Sequence, residues 1–369
     1  MNPTDKAESD LVGRAIELLN EEYEANDEFN SAFNGDEPLK LGRLELDKSK
    51  VLFWLDRPGY YETKADWSNQ TLQEQHQPCV DFLRENEHGS PLRELAEALK
   101  QKRIVPFVGA GLSQPMNMPL WGAALRRLHL RVCTPLDAEI SQLIDQGRYL
   151  DAAQALADRS LVHTNNFIRS TYRVQQVTGP VLRLPDIAHG CIVTTNFDDA
   201  IEEVFRDKDI TFDGYMHGTQ QHNFFSRLVR GQRCLLKLHG DADDPQSYIL
   251  TRNQYQEAYR TPFDFRLPLP KALRQIYISN SMLFLGCSLE QDWTMDLFKQ
   301  VIDQHEYEIP NHFALLPKPA DVAVAQAKAG ALLALNIQPI WYPTDQHQFV
   351  EALLGLALDV ADGRVQFEI

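Results

Sequence analysis

The chain has 369 residues, of which 43% are hydrophobic and 24% charged, and it includes 18 Phe, 12 Tyr and 5 Trp. That apolar content offsets the entropy of ordering the chain and excludes wholesale disorder, while no apolar run approaches the roughly 18 residues needed to cross a bilayer. The formal charge of −16, from 36 basic and 52 acidic residues, argues against a reader of phosphate backbones, which depends on clustered Lys and Arg.

The opening Met1-Asn2-Pro3-Thr4-Asp5-Lys6-Ala7-Glu8 is acidic and polar where a secretory signal has a basic end and then an apolar stretch. Cys79, Cys133, Cys191, Cys234 and Cys287 stand singly. Neither a four-cysteine zinc site nor a disulfide framework can be written from them, and a reducing cytoplasm is the expected compartment. The acidity is uneven. Residues 1–100 hold 11 basic and 22 acidic side chains, against 25 and 30 in the remainder. An acidic N-terminal extension over 1–90, structural or docking, is therefore expected ahead of a domain over 91–369.

In the extension, Leu11, Ala15, Ile16, Leu19 and Tyr23 recur at helical spacing behind a Ser9 cap. Residues 51–55 read as a strand, and the polar stretches 26–37 and 64–77 read as loops or linkers. From residue 100 onward, short β-rich apolar runs at 104–108, 191–195, 234–238, 282–285, 313–316 and 338–342 alternate with helical patterns. Those patterns are 120–130, 138–156, 199–205, 293–302 and 320–335. The alternation predicts an α/β fold, a Rossmann-like open and mainly parallel sheet covered on both faces. The segment 120–186 is mostly helical and too long for one crossover, so it reads as a helical insertion.

The first strand of this domain runs into Gly109-Ala110-Gly111-Leu112-Ser113. Two glycines there let backbone amides approach a pyrophosphate near a helix N-terminus. The dinucleotide fingerprint is incomplete, because Gln114 stands where the third glycine belongs, and ordinary turn glycines explain the pair equally well. The second strand ends in Thr194-Thr195-Asn196-Phe197-Asp198-Asp199, the third in Lys237-Leu238-His239-Gly240-Asp241, and a fourth in Gly286-Cys287-Ser288-Leu289. Each cluster alone has a bland explanation: Asn196, Asp198 or Ser288 as a helix cap, His239 as a satisfied turn histidine. All four follow the carboxyl end of a predicted parallel strand, the edge where open α/β sheets hold ligands.

In this order Gly-Ala-Gly-Leu-Ser, Thr-Thr-Asn-Phe-Asp, Leu-His-Gly and Gly-Cys-Ser-Leu resemble the nicotinamide adenine dinucleotide (NAD) motifs of the sirtuin superfamily, over roughly residues 100–360. The chain departs from deacylating sirtuins in two places. Pro119-Leu120-Trp121-Gly122 stands where their Pro-Asp-Phe-Arg would be, and no cysteines follow His239 to build their zinc module. No zinc is expected, and the acyl-lysine cleft is not. The Pro119-Leu120-Trp121 variant, Asp198-Asp199, the segment 249–255 and Trp341-Tyr342-Pro343 with His347 look more like the bacterial sirtuin-like effectors of anti-phage defence.

That resemblance implies NAD as substrate and its hydrolysis to nicotinamide and ADP-ribose. It makes Asn196 the residue that positions water and ribose, Asp198 the holder of the nicotinamide amide, and His239 the base. Ala110, Gly109, Gly111 and Ser113 would face the pyrophosphate or the adjoining ribose, with Gly286 and Ser288 along the adenosine half. It also implies regulation through a homo-oligomer or an operon partner such as a HerA-like ATPase or an Argonaute-like protein. Two other readings stay open: a binding module that holds NAD or ADP-ribose without consuming it, and a protein-lysine deacylase. Cys287 as nucleophile and His217, His222 and His239 as metal ligands are disfavoured, because no paired base and no familiar ligand spacing accompany them.

Overall fold

In the computed structural model, residues 3–290 and 293–367 are described, with side chains from Asp10 onward. The chain divides into two compact units, 1–78 and 79–369.

The first unit begins with α1 (Pro3–Glu24) and α2 (Asp27–Asn34). A small antiparallel hairpin follows, β1 (Leu39–Leu41) with β2 (Leu44–Leu46), then α3 (Lys48–Leu55) and the start of the long α4 (Arg57–Glu85). Its core is an aromatic cluster of Tyr23, Phe29, Phe53 and Tyr60. Tyr23 shares a hydrogen bond with Ser49 Oγ at 2.7 Å, and the Tyr60 hydroxyl donates to Asn30 Oδ1 at 2.7 Å. Three expectations are corrected here. Residues 51–55 form helix, not strand: Ser49 and Phe53, four apart, are the buried side chains of α3, so the apolar run serves a 3.6-residue period. Residues 27–34 and 64–77 are helical, in α2 and α4, and are not linkers. The first helix already begins at Pro3, so Ser9 lies within it and cannot cap it; the Ser9 side chain and Met1-Asn2 are outside the described residues.

The second unit is built on an eight-stranded sheet. Its elements run α5 (Gly89–Lys100), β3 (Ile104–Val108), a 3-10 turn (Ala110–Met116), α6 (Trp121–Val132), α7 (Ala138–Asp145), α8 (Tyr149–Arg159), α9 (Leu161–Thr171), α10 (Leu184–Ile187) and β4 (Ile192–Thr194). They continue with α11 (Ala200–Asp207), β5 (Gly214–His217), β6 (Gln220–His222), α12 (Phe224–Leu228), β7 (Cys234–Lys237), α13 (Arg252–Tyr259), α14 (Pro268–Ser279) and β8 (Ser281–Leu285). The last elements are α15 (Trp293–Asp303), β9 (His312–Pro317), α16 (Val322–Leu333), β10 (Ile337–Tyr342) and α17 (Gln348–Ala361).

The strand order is β10-β9-β8-β3-β4-β7-β5-β6, and every neighbouring pair is parallel except β5 with β6. The central strands are buried throughout, as parallel strands covered on both faces must be. The sequence pattern located six of these strands; it did not show β5 and β6, whose Gly214-Tyr215-Met216-His217 and Gln220-Gln221-His222 carry too few apolar residues to stand out.

The consequence for function is positional. The four strands that precede the four polar clusters are immediate neighbours in the order β8-β3-β4-β7, so all four clusters emerge side by side on one edge of the sheet. Helices α6 to α9 pack on their own core of Leu125, Leu128, Ile144, Leu156 and Phe167, which also takes in Phe197 and Tyr248 from that edge. The helical segment therefore roofs the ends of β4 and β7.

Candidate functional site

Three glycines fix the backbone of the site. Gly286 adopts φ +68°, and a Cβ there would come within 2.4 Å of the Leu112 nitrogen; Cβ atoms on Gly109 and Gly111 would meet the Gly286 carbonyl oxygen at 2.6 and 2.8 Å. The turns after β3 and β8 thus touch backbone to backbone, which only glycine permits. Their amides are engaged in this contact: Gly109 N–H donates to Leu285 O at 2.8 Å, and Gly111 N–H to Gly286 O at 2.9 Å. Ser288, beyond this contact, is exposed in the loop after β8. Cys287 Sγ lies 3.5 Å from Leu285 O and 3.7 Å from Phe107 O, beside the Gly109 backbone.

Between the turns after β3 and β4 runs a buried chain of hydrogen bonds. Asn196 Nδ2 donates to Gly109 O at 3.1 Å and to Ser113 Oγ at 2.8 Å. The Ser113 hydroxyl donates in turn to Asp198 Oδ2 at 2.8 Å, and Asp198 Oδ1 accepts the Ala200 N–H at 3.2 Å. Both amide hydrogens of Asn196 are spent, so its Oδ1 is the group it can offer a ligand. Asp199, not Asp198, is the N-cap residue of α11; Asp198 precedes it, accepts the first helical amide and belongs to the Asn196 network as well. Ser113, Asn196 and Asp198 are 3, 7 and 4% exposed. Burial pushes the Asp198 carboxyl above its ordinary range, opposed by Lys237 and by the Ser113 hydrogen bond.

Ala110, Ser113, Thr195, Asn196 and Asp198 line one side of a small pocket that opens partly to solvent; Met118, Pro119, Trp121, Tyr172 and Phe197 supply apolar and aromatic walls. Pro119 and Trp121 belong to the segment that departs from the deacylase pattern. Its place here is taken by apolar walls.

His239 stands at the end of β7 and is 7% exposed. Its ring is packed among Trp121, Phe197 and Tyr255, with centroids 6.1, 6.0 and 5.7 Å away. Nε2 shares a hydrogen bond of 2.6 Å with the Tyr255 hydroxyl, whereas Nδ1 is buried without a well-formed partner. Burial lowers the ring to about 4, with a small opposing pull from the Thr195 backbone, so the imidazole is neutral at neutral pH.

Beneath this edge lies Lys237, wholly buried. Its ammonium donates to Asp198 O at 2.7 Å, Glu202 Oε1 at 3.0 Å and Asp241 Oδ2 at 2.7 Å, using all three hydrogens. Burial disfavours that charge, but Glu202 and Asp241 outweigh it and hold the lysine protonated. His217 joins this group: single ligand atoms of Glu202, His217 and Asp241 lie within 4.8 Å of one another. The cation among them is the Lys237 ammonium. His217 is thus drawn to Glu202 and Asp241, with His222 at a ring distance of 6.0 Å, while His239 sits in its aromatic pocket.

Sequence reasoning gave no site role to Lys237, Tyr255 or Trp121 individually and missed Tyr172. A signal existed for the first: a lysine ending the apolar run Cys234-Leu235-Leu236-Lys237 must find carboxylates when the strand is buried. Among the described residues, no helix is long and apolar enough to cross a membrane.

Residues 190–340 match the SIR2-like domain family. Among curated proteins, the NAD(+) hydrolase ThsA of Acinetobacter baumannii (strain 532279) is 29% identical over 244 residues, covering 63% of this chain and 46% of that protein. The NAD(+) hydrolase ThsA of Bacillus cereus (strain MSX-D12) is 21% identical over 229 residues, covering 62% and 46%. The chain spans about half the length of these curated relatives. A crystal structure of a Sir2 homolog–NAD complex is similar at 10% identity and a TM-score of 0.37, covering 73% of this chain and 94% of that one.

Proposed function

We propose that this chain, whose second unit carries a SIR2-like domain, is an NAD nucleosidase that cleaves the bond between nicotinamide and ribose and releases ADP-ribose. The observation that carries the reading is the convergence of Asn196, Ser113 and Asp198 in one buried network on the cavity wall, with neutral His239 on the adjoining strand end.

The chemistry suits these groups. Cleavage of an N-glycosidic bond passes through an oxocarbenium-like state, and the nicotinamide leaving group already carries positive charge, so little acid catalysis is required. The reaction needs a held carboxamide, a dry ribose and a group that orients or deprotonates the attacking oxygen. Asn196 Oδ1 serves as an acceptor toward water or a ribose hydroxyl. Asp198 has lone pairs left beyond its two hydrogen bonds and accepts from the carboxamide N–H. Met118, Pro119, Trp121 and Tyr172 exclude water around the ribose, and His239 accepts the proton. Ala110 and Ser113 border the cavity; Gly109, Gly111 and Gly286 serve the NAD site through the backbone contact that shapes it, and Ser288 lies toward the adenosine side.

Depletion of NAD would kill a cell if it were constitutive, so the activity is regulated, and we take the protein to be an effector of anti-phage defence. Control through self-assembly or an operon partner such as a HerA-like ATPase or an Argonaute-like protein, within the cytoplasm, follows from the same reading. The test is to incubate the purified protein with NAD, alone and with the product of its neighbouring gene, and to follow nicotinamide and ADP-ribose. His239→Ala is expected to lower nicotinamide release about 10²- to 10⁴-fold, the worth of general-base catalysis, and Asn196→Ala at least as much. Thermal protection by NAD with no consumption under either condition would instead support a binding module.

A further inference from the structure

Tyr255 is absent from the four motifs, yet its hydroxyl makes the shortest polar contact that His239 has, 2.6 Å to Nε2. It is held firmly in place. Tyr255 lies on α13, whose N-terminus is closed by a reciprocal capping box between Thr251 and Gln254. Its ring stacks on Tyr259 with centroids 5.7 Å apart and an interplanar angle of 18°, and it meets Trp293 edge-on at 5.5 Å. A hydroxyl on a rigid ring is suited to set the orientation of a second ring.

The other imidazole nitrogen points to the consequence. Nδ1 is buried without a hydrogen bond in a residue that is more than nine-tenths buried. The Thr195 backbone lies close enough to favour the protonated ring, and Thr195 borders the cavity. A neutral imidazole carries one N–H, and the partner of that N–H decides which nitrogen keeps its lone pair. If Nε2–H donates to the Tyr255 oxygen, Nδ1 is left as a bare acceptor on the side of Thr195. Once Nδ1 takes a proton, both N–H groups of the imidazolium have oxygen acceptors, Tyr255 at Nε2 and the Thr195 carbonyl at Nδ1. In the opposite tautomer Nδ1–H faces the Thr195 carbonyl and Nε2 accepts from the Tyr255 hydroxyl, so the basic nitrogen is turned toward Tyr255 and away from Thr195.

We propose that Tyr255 is the positioning residue of His239: its oxygen accepts the Nε2–H, fixes the ring and its tautomer, and leaves Nδ1 to take the proton from the attacking oxygen. This rests on the reading of His239 as the base of NAD hydrolysis. The proton moves from water to Nδ1 while the water oxygen bonds to the anomeric carbon and nicotinamide departs with the electrons of the broken bond.

The experiment uses the full chain, with its partner if activity requires it, and compares Tyr255→Phe, His239→Ala and the double variant. Tyr255→Phe is expected to lower kcat about tenfold to a hundredfold, the cost of a misplaced catalytic group, with KM within about threefold. The double variant should be no slower than His239→Ala alone, because Tyr255 acts through His239. A Tyr255→Phe kcat within twofold of the parent, or a double variant slower than His239→Ala by the full Tyr255 factor, overturns the proposal. Nitrogen-15 spectra of imidazole-labelled protein decide the matter independently of turnover. The proposal requires a protonated Nε2 and an unprotonated Nδ1 in His239 of the parent, and the reverse pattern overturns it. A parent that releases no nicotinamide under any condition counts against the hydrolase reading, and the spectra then still decide the role of Tyr255.

Discussion

Asn196 donates an amide hydrogen to Ser113 Oγ at 2.8 Å, although the two residues are 83 positions apart and sit on the turns after different strands. Ser113 can accept this bond and donate its own hydrogen to Asp198, so one hydroxyl orders the two side chains of the Asn196-Phe197-Asp198 motif. The relationship gives Ser113 a structural reason to be serine that is independent of any phosphate.

Ser113→Ala should therefore act on Asn196 and Asp198 together. It leaves a buried N–H without an acceptor, at a cost of about 1–3 kcal/mol, and frees the Asn196 amide to turn. Nicotinamide release is expected to fall at least tenfold and the denaturation midpoint to drop, both measured on one preparation. An alanine variant with parental activity and stability would show that the network is dispensable.

Lys237→Met tests the buried charge below the site. Removing the ammonium strands Glu202 and Asp241 without their cation, and breaking a buried pair in this way costs on the order of 3–5 kcal/mol. Denaturant titration should show a large loss of stability of the second unit. A loss below about 1 kcal/mol would mean that the carboxylates find other partners or protonate at little cost.

Gly286→Ala is expected to destabilise by more than about 1 kcal/mol, because the residue combines φ +68° with a Cβ position 2.4 Å from the Leu112 nitrogen. Gly190→Ala is the matched control: nothing lies within 4 Å of its Cβ position, and its effect should fall within about 0.5 kcal/mol of zero. Equal melting temperatures for the two variants would contradict the backbone contact between the turns.

Acid should unfold the second unit by charging its buried histidines. His239 is lowered to about 4 and His312 to about 3, both by burial, so in the folded state each stays neutral while the unfolded chain protonates near 6.5. The unfolded state then binds more protons below pH 6.5, and stability falls as pH drops from 6.5 toward 4, on the order of 3 kcal/mol for His239 alone. Asp198, pushed upward, opposes part of this loss. Thermal melting from pH 7.5 to 4.5 should show the decline, and the acidic limb of kcat/KM for nicotinamide release should lie well below 6.5. A melting temperature that rises on acidification would refute the assignment.

The sheet of the second unit was largely legible because its central strands are apolar runs of five or so residues bounded by glycine or polar turns. The strand ends carried the clusters of Asn196, Asp198 and His239 in plain view. The first unit was misread because α3 packs an apolar run at helical period, and a run of five apolar residues has the same appearance in either conformation. The segment 249–255 was singled out only by resemblance, and the contact of Tyr255 was not legible, since nothing in Thr251-Arg252-Asn253-Gln254-Tyr255 announces that its hydroxyl meets a histidine 16 residues earlier.

Residue type and local order alone determined which chemical groups the chain possesses and that they follow strands, because side-chain periodicity and turn composition are local properties. Strand order belongs to the tertiary structure. Only the arrangement β8-β3-β4-β7 made neighbours of turns far apart in the chain, spent the glycine amides on backbone contacts, and committed both amide hydrogens of Asn196 to Gly109 and Ser113. Hydrogen bonds between such distant residues depend on sheet topology and close packing, which no local pattern encodes.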